Sequence, residues 1–513
     1  MLRFSLFLFA ALVLAACTPA REVAQEITEP PPPRPEIQRE FRAAWIATVD
    51  NIDWPSRPGL STAEQQAELR SLLDRLVRLN FNAVILQVRP TADAFYASRY
   101  EPWSAYLTGQ QGIAPEPYYD PLAFAVDEAH KRGLELHAWF NPYRAYHPTN
   151  PGELDVSHIQ FTNPDVVKAY GDLLWMDPSE PVVQQRSLDV ILDVVERYDV
   201  DGVHLDDYFY PYPKSDSLGV EIPFPDSTSW ARAQAADPTL DQGDWRRQSV
   251  DGFVERLYRE VKAAKPYVKV GISPFGIWRP GYPETVVGFD AYARLYADAR
   301  RWQQEGWVDY LAPQLYWAID KEGQRYNELL EWWASQNSAG RHLWPGNYTS
   351  RLLFDTWEPA EIVEQIRLTR ANNVTDGNIH FSAKVLRDTS SAMGPALMED
   401  VYAGPALIPA SPWLDSTAPA APMLTTERLP DGTMLTMLPG DDEPVWLWVV
   451  QQRHGAAWHT EVLPAWQQSA SIGRGTECAS EVVVQAVDRL GNASAMRSIN
   501  RPCDAGTAEM LSR

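Results

Sequence analysis

The sequence is poor in cysteine, and its acidic residues far outnumber its basic ones. Only three of its 513 residues are cysteines, Cys17, Cys478 and Cys503, which argues against a cysteine-ligated metal cluster. The formal charge at pH 7 is −23, from 45 Lys and Arg against 68 Asp and Glu. A strongly acidic surface repels phosphate, so nucleic acid and anionic lipid head groups are poor partners. A weakly anionic glycan bound by a few local arginines stays compatible with this charge.

Motifs for metals and nucleotide cofactors are also missing. The nine histidines show no ligand spacing such as HExxH, and the run HLDD at residues 204–207 is only a weak ligand pair. No glycine-rich phosphate loop and no GxSxG pattern of a serine hydrolase occurs. The sequence therefore predicts no metal centre and no cofactor.

The N-terminus has the features of an export signal. Arg3 precedes an apolar run at residues 4–14, which is too short to span a bilayer. The following Leu-Ala-Ala-Cys at residues 14–17 is similar to a bacterial lipobox, which implies a signal peptide at 1–16 and lipidation of Cys17. Thr18 rather than Asp follows, and by the same resemblance the protein is expected on the periplasmic side of the outer membrane. The lipid would then be its only membrane contact.

The other two cysteines have a structural interpretation. With Cys17 lipidated, Cys478 and Cys503 can pair with each other in the oxidising periplasm. This disulfide would belong to the C-terminal end of the chain, and it would leave no cysteine for catalysis.

Residues 17–40 are predicted to be a tether. They include four consecutive prolines at 30–33 and almost nothing that could be buried. In polyproline II form, such a segment could reach about 70 Å from the membrane.

Strand and helix patterns alternate over residues 41–405. The strand-like runs are 41–49, 82–90, 134–142, 201–207, 268–276, 309–317, 342–348 and 377–384. The helical patterns between them are 63–79, 121–132, 182–198, 249–264, 290–306, 325–338 and 359–372. Eight such units predict an α/β fold, a (β/α)8 TIM-like barrel. A doubly wound open sheet is the alternative, but the missing glycine-rich loop disfavours it.

The C-terminal part reads differently. Residues 406–422 have a linker composition, and 423–505 alternate short strands with turn signals. The run at 481–494 looks like the last strand pair of a fibronectin type III-like β-sandwich, with a disordered tail at 506–513. No catalytic constellation occurs here, so the expected role is spacing or contact with glycan or protein.

The stretch DGVHLDDYFYPYP, residues 201–213, carries the clearest chemical signal. An apolar run ends in Asp206 and Asp207, and an aromatic loop that begins with Tyr208 follows. Catalytic groups of α/β barrels lie at the carboxyl ends of strands, and aromatic rings stack on sugars, so this pattern indicates glycoside chemistry. In the alternative interpretation, Asp207 caps a turn and Asp206 forms a salt bridge.

With these residues in view, residues 41–400 resemble the glycosyl-hydrolase-like family 10 lipoproteins of bacteria. The resemblance rests on the combined motifs REFRAAWIATVDNIDWP, VILQVRPTADAFYASRYEPWSAYLTG, HAWFNPYRA, DGVHLDDYFYP, GISPFGIWR and LAPQLYW. It implies hydrolysis of bacterial envelope glycan, and at least one member type cuts peptidoglycan strands that have been stripped of peptides.

The resemblance also suggests catalytic roles. DGVHLD looks like the fourth-strand motif of the α-amylase superfamily, which makes Asp206 the nucleophile or charge stabiliser, with Asp207 as the alternative. The glutamate acid of that superfamily is absent, since strand 5 ends in SPFGIW. Asp93, after strand 2, is the favoured acid, with Asp53 and Glu101 as alternatives; Asp93 could equally cap a helix.

Other polar residues near strand ends are candidates for substrate binding. They are Arg89, His137, Asn141, Arg144, Tyr208, Arg279, Gln314, Tyr316 and Asn347. The three arginines could bind the carboxylate of N-acetylmuramic acid. They could instead form internal salt bridges, and His137 could be a core histidine.

The sequence thus predicts a glycoside hydrolase whose partner is a glycan polymer, with peptidoglycan favoured. Two alternatives stay open: hydrolysis of another polysaccharide, such as an exopolysaccharide or α-glucan, and a non-catalytic glycan-binding lipoprotein. The sequence specifies no oligomeric state.

Overall fold

The computed structural model describes residues 32–354, 357–430, 432–474 and 477–500. The signal sequence, Cys17, most of the tether, Cys503 and the tail at 506–513 lie outside these ranges, so the predictions about them stay predictions. Cys478 lies inside them and is disulfide-bonded. Within the described ranges, no helix has both the length and the apolar character needed to cross a membrane.

A parallel sheet forms the centre of the larger unit and closes into a ring. Its strands, β1 to β8, are Phe41–Ile46, Ala83–Arg89, Glu135–Phe140, Gly202–Leu205, Lys269–Ile272, Tyr310–Leu311, the two-part β7 (His342–Leu343 and Gly346–Asn347), and Gly377–His380. Each strand pairs with the next in chain order, and β8 returns to pair with β1. The α/β barrel expected from the sequence is therefore confirmed.

The strands contain long apolar runs because both of their faces are covered. In β1, every residue from Phe41 to Ile46 is buried, as expected for a parallel sheet with helices outside and side chains filling the ring. The break in β7 falls at Trp344 and Pro345, since proline has no N–H to donate to a neighbouring strand. Hydrogen bonds from Trp344 N to Leu311 O and from Gly346 N to Pro313 O carry the ring across this break.

Helices connect the strands on the outside. The longer ones are Thr62–Arg78, Pro121–His130, Pro181–Arg197, Ser227–Ala236, Gln242–Ala264, Tyr326–Gln336 and Pro359–Ala371. Shorter helices are Ala105–Thr108, Ile159–Thr162, Ala291–Arg294, Ala299–Gln304, Ala383–Arg387 and Met393–Glu399, and 3-10 turns are Val49–Asn51, Pro164–Val166 and Thr349–Leu353. Ser61 and Glu64 form the capping box that the sequence predicts at the first helix.

One predicted helix, 290–306, is divided in the structure. Asp290 caps the first part and Asp298 the second, each by accepting a backbone N–H. Between them Tyr296 has a φ of 55°, which no helix can continue through. A side chain that accepts a backbone N–H at a helix start favours a new helix over continuation of the previous one. The spacing of apolar residues does not show where such a cap forms.

The long insertions lie on the carboxyl side of the barrel. One forms a small antiparallel sheet of Arg144–Tyr146, Val167–Tyr170 and Leu173–Met176. Another contributes the strand pair Lys214–Ser215 and Glu221–Ile222.

The C-terminal unit consists of two antiparallel four-stranded sheets. Its strands, β9 to β16, are Met423–Leu429, Gly432–Leu438, Leu447–His454, Ala457–Pro464, Ser469–Arg474, Glu477–Cys478, Glu481–Val487 and Arg497–Asn500. The sheet orders are β9-β10-β13-β14 and β12-β11-β15-β16. Their inner faces share an apolar core around Trp448 and Leu435, which are both fully buried.

This sandwich packs against the amino end of the barrel. The Arg489 side chain bonds to Asp201, which directly precedes β4, at 2.7 Å and to Asp199 at 2.6 Å. Burial acts to raise the pKa of Asp201, but Arg489 and His130 outweigh it and hold that pKa below its ordinary value. The barrel and the sandwich therefore share a largely buried ion pair.

The chain segments on either side of the barrel are packed as well. Residues Gln38–Arg39 pair with Ala406–Leu407 as short parallel strands. In the segment predicted to be a linker, Trp413 donates to Asp309 at 2.9 Å and Ser411 bonds to His342 at 3.0 Å. Polar composition suggests a loose linker, but these two side chains meet barrel groups that only the folded chain brings near.

We expect Arg489→Gln to lower the free energy of unfolding by about 3 kcal/mol, since it leaves the buried Asp201 carboxylate without its cation. Because the folded-state pKa of Asp201 is lowered, the wild-type advantage should be full at neutral pH and should shrink as the pH falls below about 4. Urea unfolding at several pH values measures both effects.

Arg453→Gln is the matched control, because Arg453 pairs with Glu481 inside the sandwich and that pair is only partly buried. It should cost less than about 1 kcal/mol. Equal losses in the two variants would contradict a special role for the Arg489–Asp201 pair.

Candidate active site

A cavity of about 260 Å³ opens at the carboxyl end of the barrel. Aromatic side chains from β1, β3, the segment after β6 and the segment after β8 form much of its wall, namely Trp45, Trp139, Tyr316 and Phe381. Asp206 and Asp207, which follow β4, also line it. Carboxyl groups and aromatic rings therefore meet in one place.

The Asp206 carboxylate is held by three N–H donors. Asn141 Nδ2 donates to Oδ2 at 3.3 Å, and Gln314 Nε2 donates to Oδ1 at 3.2 Å. The backbone N–H of Asp207 donates to Oδ1 at 2.9 Å. Asn141 is adjacent because Phe140 and Leu205 are register partners in β3 and β4. Asp206 is thus fixed in orientation while remaining partly exposed to the cavity.

Asp207 has a different environment from its neighbour. Its side chain is buried, with only 4% exposed, and accepts a hydrogen bond from the Tyr212 hydroxyl. Burial and the adjacent charge of Asp206 raise the pKa of Asp207 well above its ordinary value. Asp207 is therefore biased toward its protonated form, while Asp206 accepts three N–H donors and is partly exposed. Neighbouring acids in different environments can take different catalytic roles.

A polar network supports Asn141 from behind. Gln87 donates to Asn141 Oδ1 at 2.6 Å, and an Arg144 guanidinium N–H donates to the same oxygen at 3.1 Å. Arg144 also donates to the Tyr208 hydroxyl at 2.9 Å and to Pro90 O. The amide of Asn141 is therefore oriented with its NH2 toward Asp206. Arg144 and Tyr208 act in this arrangement as supports of the site.

Trp139 offers an unused hydrogen-bond donor. Its side chain is 5% exposed, lines the cavity, and its Nε1 has no acceptor among the described residues. By contrast, Trp45 Nε1 bonds to His204 Nε2 at 3.1 Å. A buried N–H without an acceptor is costly unless a ligand or water satisfies it.

The structure does not bring Asp93 into the cavity. Its side chain is fully buried and accepts from Thr91 N and Thr91 Oγ1, both at 3.0 Å. An acid must reach the leaving oxygen of the substrate, and Asp93 has no path to the cavity surface. The prediction that favoured Asp93 as the acid is corrected on this ground.

The alternative acids are also occupied elsewhere. Glu101 forms a buried ion pair with Arg89, at 2.5 and 2.7 Å, so the internal salt bridge is the correct interpretation of Arg89. Asp53 accepts from Ser382 Oγ and Lys384 N at 2.7 Å. Burial raises its pKa to about 6. Asp53 thus fastens the segment after β1 to the segment after β8.

Three further candidates for substrate binding lie away from the cavity. His137 is fully buried and bonds to the Tyr310 hydroxyl at 2.8 Å, as a core histidine does. Asn347 is fully buried and bonds to Gln365 and Asn378. Arg279 pairs with Asp290 at 3.5 Å. Each is held by groups from other elements, whose proximity the sequence does not reveal.

Several cavity residues were not identified from the sequence as site residues. They are Trp45, Ala47, Val49, Ile52, Ser273 and Phe381. Trp45, Ser273 and Phe381 each lie inside a predicted strand, and only the observed strand ends, at Ile46, Ile272 and His380, place them at the carboxyl side of the sheet. Their apolar or small side chains were less conspicuous than charged ones.

Fold and site together define a class of protein. A closed α/β barrel with two carboxyl groups and aromatic walls at the carboxyl ends of its strands has the architecture of glycoside hydrolases. The chain belongs to the family described as Glycosyl hydrolase-like 10, which it matches over residues 40–350.

Individual relatives agree with this assignment. The chain is 46% identical over 401 residues to "Glycosyl hydrolase YngK" of Bacillus subtilis strain 168, covering 76% of this chain and 77% of that protein. It is 35% identical over 348 residues to "Glycosyl hydrolase DigH" of Escherichia coli K12, covering 63% and 77%. A weaker likeness is to the PgaB (BpsB) glycoside hydrolase domain from Bordetella bronchiseptica, at 15% identity and a TM-score of 0.45, covering 69% of this chain and 99% of that one.

We expect two substitutions to move the pKa of Asp207 in opposite directions. Asp206→Asn removes a neighbouring negative charge and should lower this pKa. Tyr212→Phe removes a hydrogen bond that stabilises the ionised carboxylate and should raise it. A ¹³C NMR titration of aspartate-labelled protein measures both.

Tyr170→Phe is the matched control, because the Tyr170 hydroxyl bonds to Ile222 O and Lys214 N outside the cavity. It should leave the Asp207 titration unchanged. A shift of the same sign in the Asp206 and Tyr212 variants would contradict the described arrangement.

Proposed function

We propose that this protein is a glycoside hydrolase of the bacterial envelope that cleaves the glycan strands of peptidoglycan, with preference for strands stripped of peptides. The observation that carries the catalytic part is the Asp206–Asp207 pair in an aromatic cavity, in which Asp206 is partly exposed and accepts three N–H donors while Asp207 is buried and bonds to Tyr212. Family membership supports the choice of reaction, and the motif resemblance and the lipobox support the choice of substrate.

The roles follow from the environments. Asp207, which retains a proton, is the general acid for the leaving glycosidic oxygen. Asp206 faces the reacting sugar and stabilises the positive charge that develops near its anomeric carbon. Asn141 and Gln314 hold the Asp206 carboxylate in position, so it needs little reorganisation during the reaction.

The cavity is matched to a short part of the substrate. Its volume of about 260 Å³ is slightly below the range of about 300–1,000 Å³ typical for drug-sized ligands. We infer that it accommodates one sugar ring while the rest of the strand runs along the mouth. Arg89 is not available to bind a muramic acid carboxylate, because it already forms an ion pair with Glu101.

Sacculi provide the direct test of substrate. The chain from residue 18 onward, made without the lipidated cysteine, is incubated with intact sacculi and with sacculi stripped by an amidase, and products are analysed by mass. We expect at least 10-fold faster release of glycan fragments from the stripped material. Equal rates would contradict the preference, and an absence of fragments from both would reject peptidoglycan as substrate, with chitin, α-glucan and exopolysaccharide as comparison polymers.

We expect Asp206→Asn to reduce kcat on stripped glycan by about 10³-fold or more while the protein stays folded, because a group acting in the transition state is removed. Circular dichroism and initial rates measure the two parts of this prediction.

Asp93→Asn is the informative comparison, since Asp93 is buried outside the cavity. Folded Asp93→Asn protein should keep kcat within about 10-fold of wild type. If kcat fell more in Asp93→Asn than in Asp206→Asn, Asp93 would again be the favoured acid.

We also propose that Cys17 is lipidated and holds the protein on the periplasmic side of the outer membrane, from the lipobox at residues 14–17. Cys17→Ala should lose palmitate labelling and leave the outer-membrane fraction, while turnover per molecule of purified protein is unchanged. Labelling that persists in this variant would refute the proposal.

The C-terminal unit is proposed to be a fibronectin type III-like sandwich. The strand orders β9-β10-β13 and β12-β11-β15-β16 support this, because each sheet joins strands that are distant in sequence, as in Greek-key sandwiches. Pairing of Cys478 with Cys503 is part of the same proposal, and peptide mapping under non-reducing conditions tests it.

A further inference from the structure

The cavity lacks an opposed pair of carboxylates. Within the described residues, the carboxyl groups that line it are Asp206 and Asp207, which are consecutive in the chain. Asp53, Asp93 and Glu101 are buried in hydrogen bonds of their own. Glycosidases that use two carboxyl groups place them on either side of the scissile bond, about 5–5.5 Å apart for retention and about 6.5–9.5 Å for inversion. Two neighbours at one strand end do not enclose a sugar ring in this way.

We propose that the second reacting group comes from the substrate: the carbonyl oxygen of a 2-acetamido group attacks the anomeric carbon, so the site is specific for 2-acetamido-2-deoxy sugars. This inference rests on the proposed function, in which Asp207 is the acid, and it names the substrate class. Substrate-assisted hydrolysis of this type needs a protonated acid on one side and a group that holds the acetamide on the other.

The steps balance as follows. The acetamido oxygen bonds to C1 while the C1–O bond to the leaving sugar breaks, and the leaving oxygen takes the proton of Asp207. The product is an oxazolinium ion, whose N–H donates to the Asp206 carboxylate. Water then gives a proton to ionised Asp207 and adds to C1, the oxazolinium ring opens, and the acetamido group is restored. Two inversions at C1 leave its configuration retained.

The contacts around Asp206 suit this role. Its two oxygens accept N–H donors from Asn141, Gln314 and its own neighbour, so the carboxylate is aligned as an acceptor. It remains partly exposed, which leaves room for one further donor from the substrate. An acetamide N–H is such a donor, and it becomes more acidic as positive charge develops on the ring.

The rest of the cavity suits an acetyl group. Ala47, Ile52 and Phe381 form an apolar wall that can cover a methyl group. Trp139 Nε1, which is buried and has no acceptor within the described part of the chain, can donate to an oxygen of the bound sugar. A glucan offers hydroxyls to this wall and has no acetamide for Asp206, so it should bind poorly and react slowly.

Two probes test the inference. The first is a stripped glycan strand whose amines have been chemically deacetylated, compared with the same strand re-acetylated. We expect at least 10²-fold slower cleavage of the deacetylated strand. The second is a thiazoline fused to N-acetylglucosamine, together with its 3-lactyl muramic analogue, since both mimic the oxazolinium ion and cannot be hydrolysed by this route. At least one should bind, as measured by calorimetry, and Asp206→Asn should weaken that binding at least 10-fold.

The variants separate the roles of the two acids. Asp207→Asn should retain turnover of a glycoside with a leaving group that needs no proton, such as a dinitrophenyl 2-acetamido glycoside, whereas Asp206→Asn should not. Asp172→Asn is the matched control, because Asp172 is an exposed carboxylate paired with Lys214 outside the cavity. It should behave as wild type in every assay.

Failure of this inference differs from failure of the proposed function. Equal cleavage of acetylated and deacetylated strands, or a glycosyl–Asp206 adduct detected by mass spectrometry, would overturn substrate assistance while leaving a glycoside hydrolase. If no polymer is cleaved, thiazoline binding that depends on Asp206 still supports the acetamide site. Absence of binding by both thiazolines overturns it.

Discussion

Closure of the parallel sheet into a ring is the constraint on which the site depends. Asn141 follows β3, Asp206 follows β4 and Gln314 follows β6, and the three side chains meet only because the ring brings these strand ends together. The closure itself is fastened at the mouth by Asp53, which accepts hydrogen bonds from Ser382 and Lys384 across the junction of β8 and β1. Asp53, a buried acid outside the cavity, thus helps to hold the strand ends from which the cavity is built.

The two acids illustrate how position controls chemistry within one dipeptide. Successive residues at a strand end point in different directions. Both side chains line the cavity, but Asp206 accepts hydrogen bonds from the amides of Asn141 and Gln314, whereas Asp207 accepts one from the Tyr212 hydroxyl. Burial and the neighbouring charge of Asp206 raise the pKa of Asp207 above its ordinary value. The same Asp-Asp sequence on an exposed loop would lack this burial.

Much of the fold could be read from the sequence because local and global signals agree. Buried strands appear in the sequence as continuous apolar runs, and a capping box marks the start of the first helix. The proximity of Asp206 and Asn141 also follows from the order of the strands, since each residue lies just beyond one of two neighbouring strands. The partners of Arg89 and Asn347 could not be read in this way. The loop after β2 folds back, with Ala94 beside Trp103, and so brings Glu101 to Arg89.

The packing of the sandwich has a consequence for the proposed lipid anchor. Residues 32–39 already contact this unit, through Gln451 to Pro35 O and Trp458 to Pro32 O, at the end of the barrel opposite the cavity. If Cys17 is lipidated as proposed, residues 17–31 connect the lipid to the first residues that contact the sandwich, and they would span about 45 Å in extended polyproline form. On that proposal, the sandwich would lie between the bilayer and the barrel, and the cavity would open away from the lipid surface.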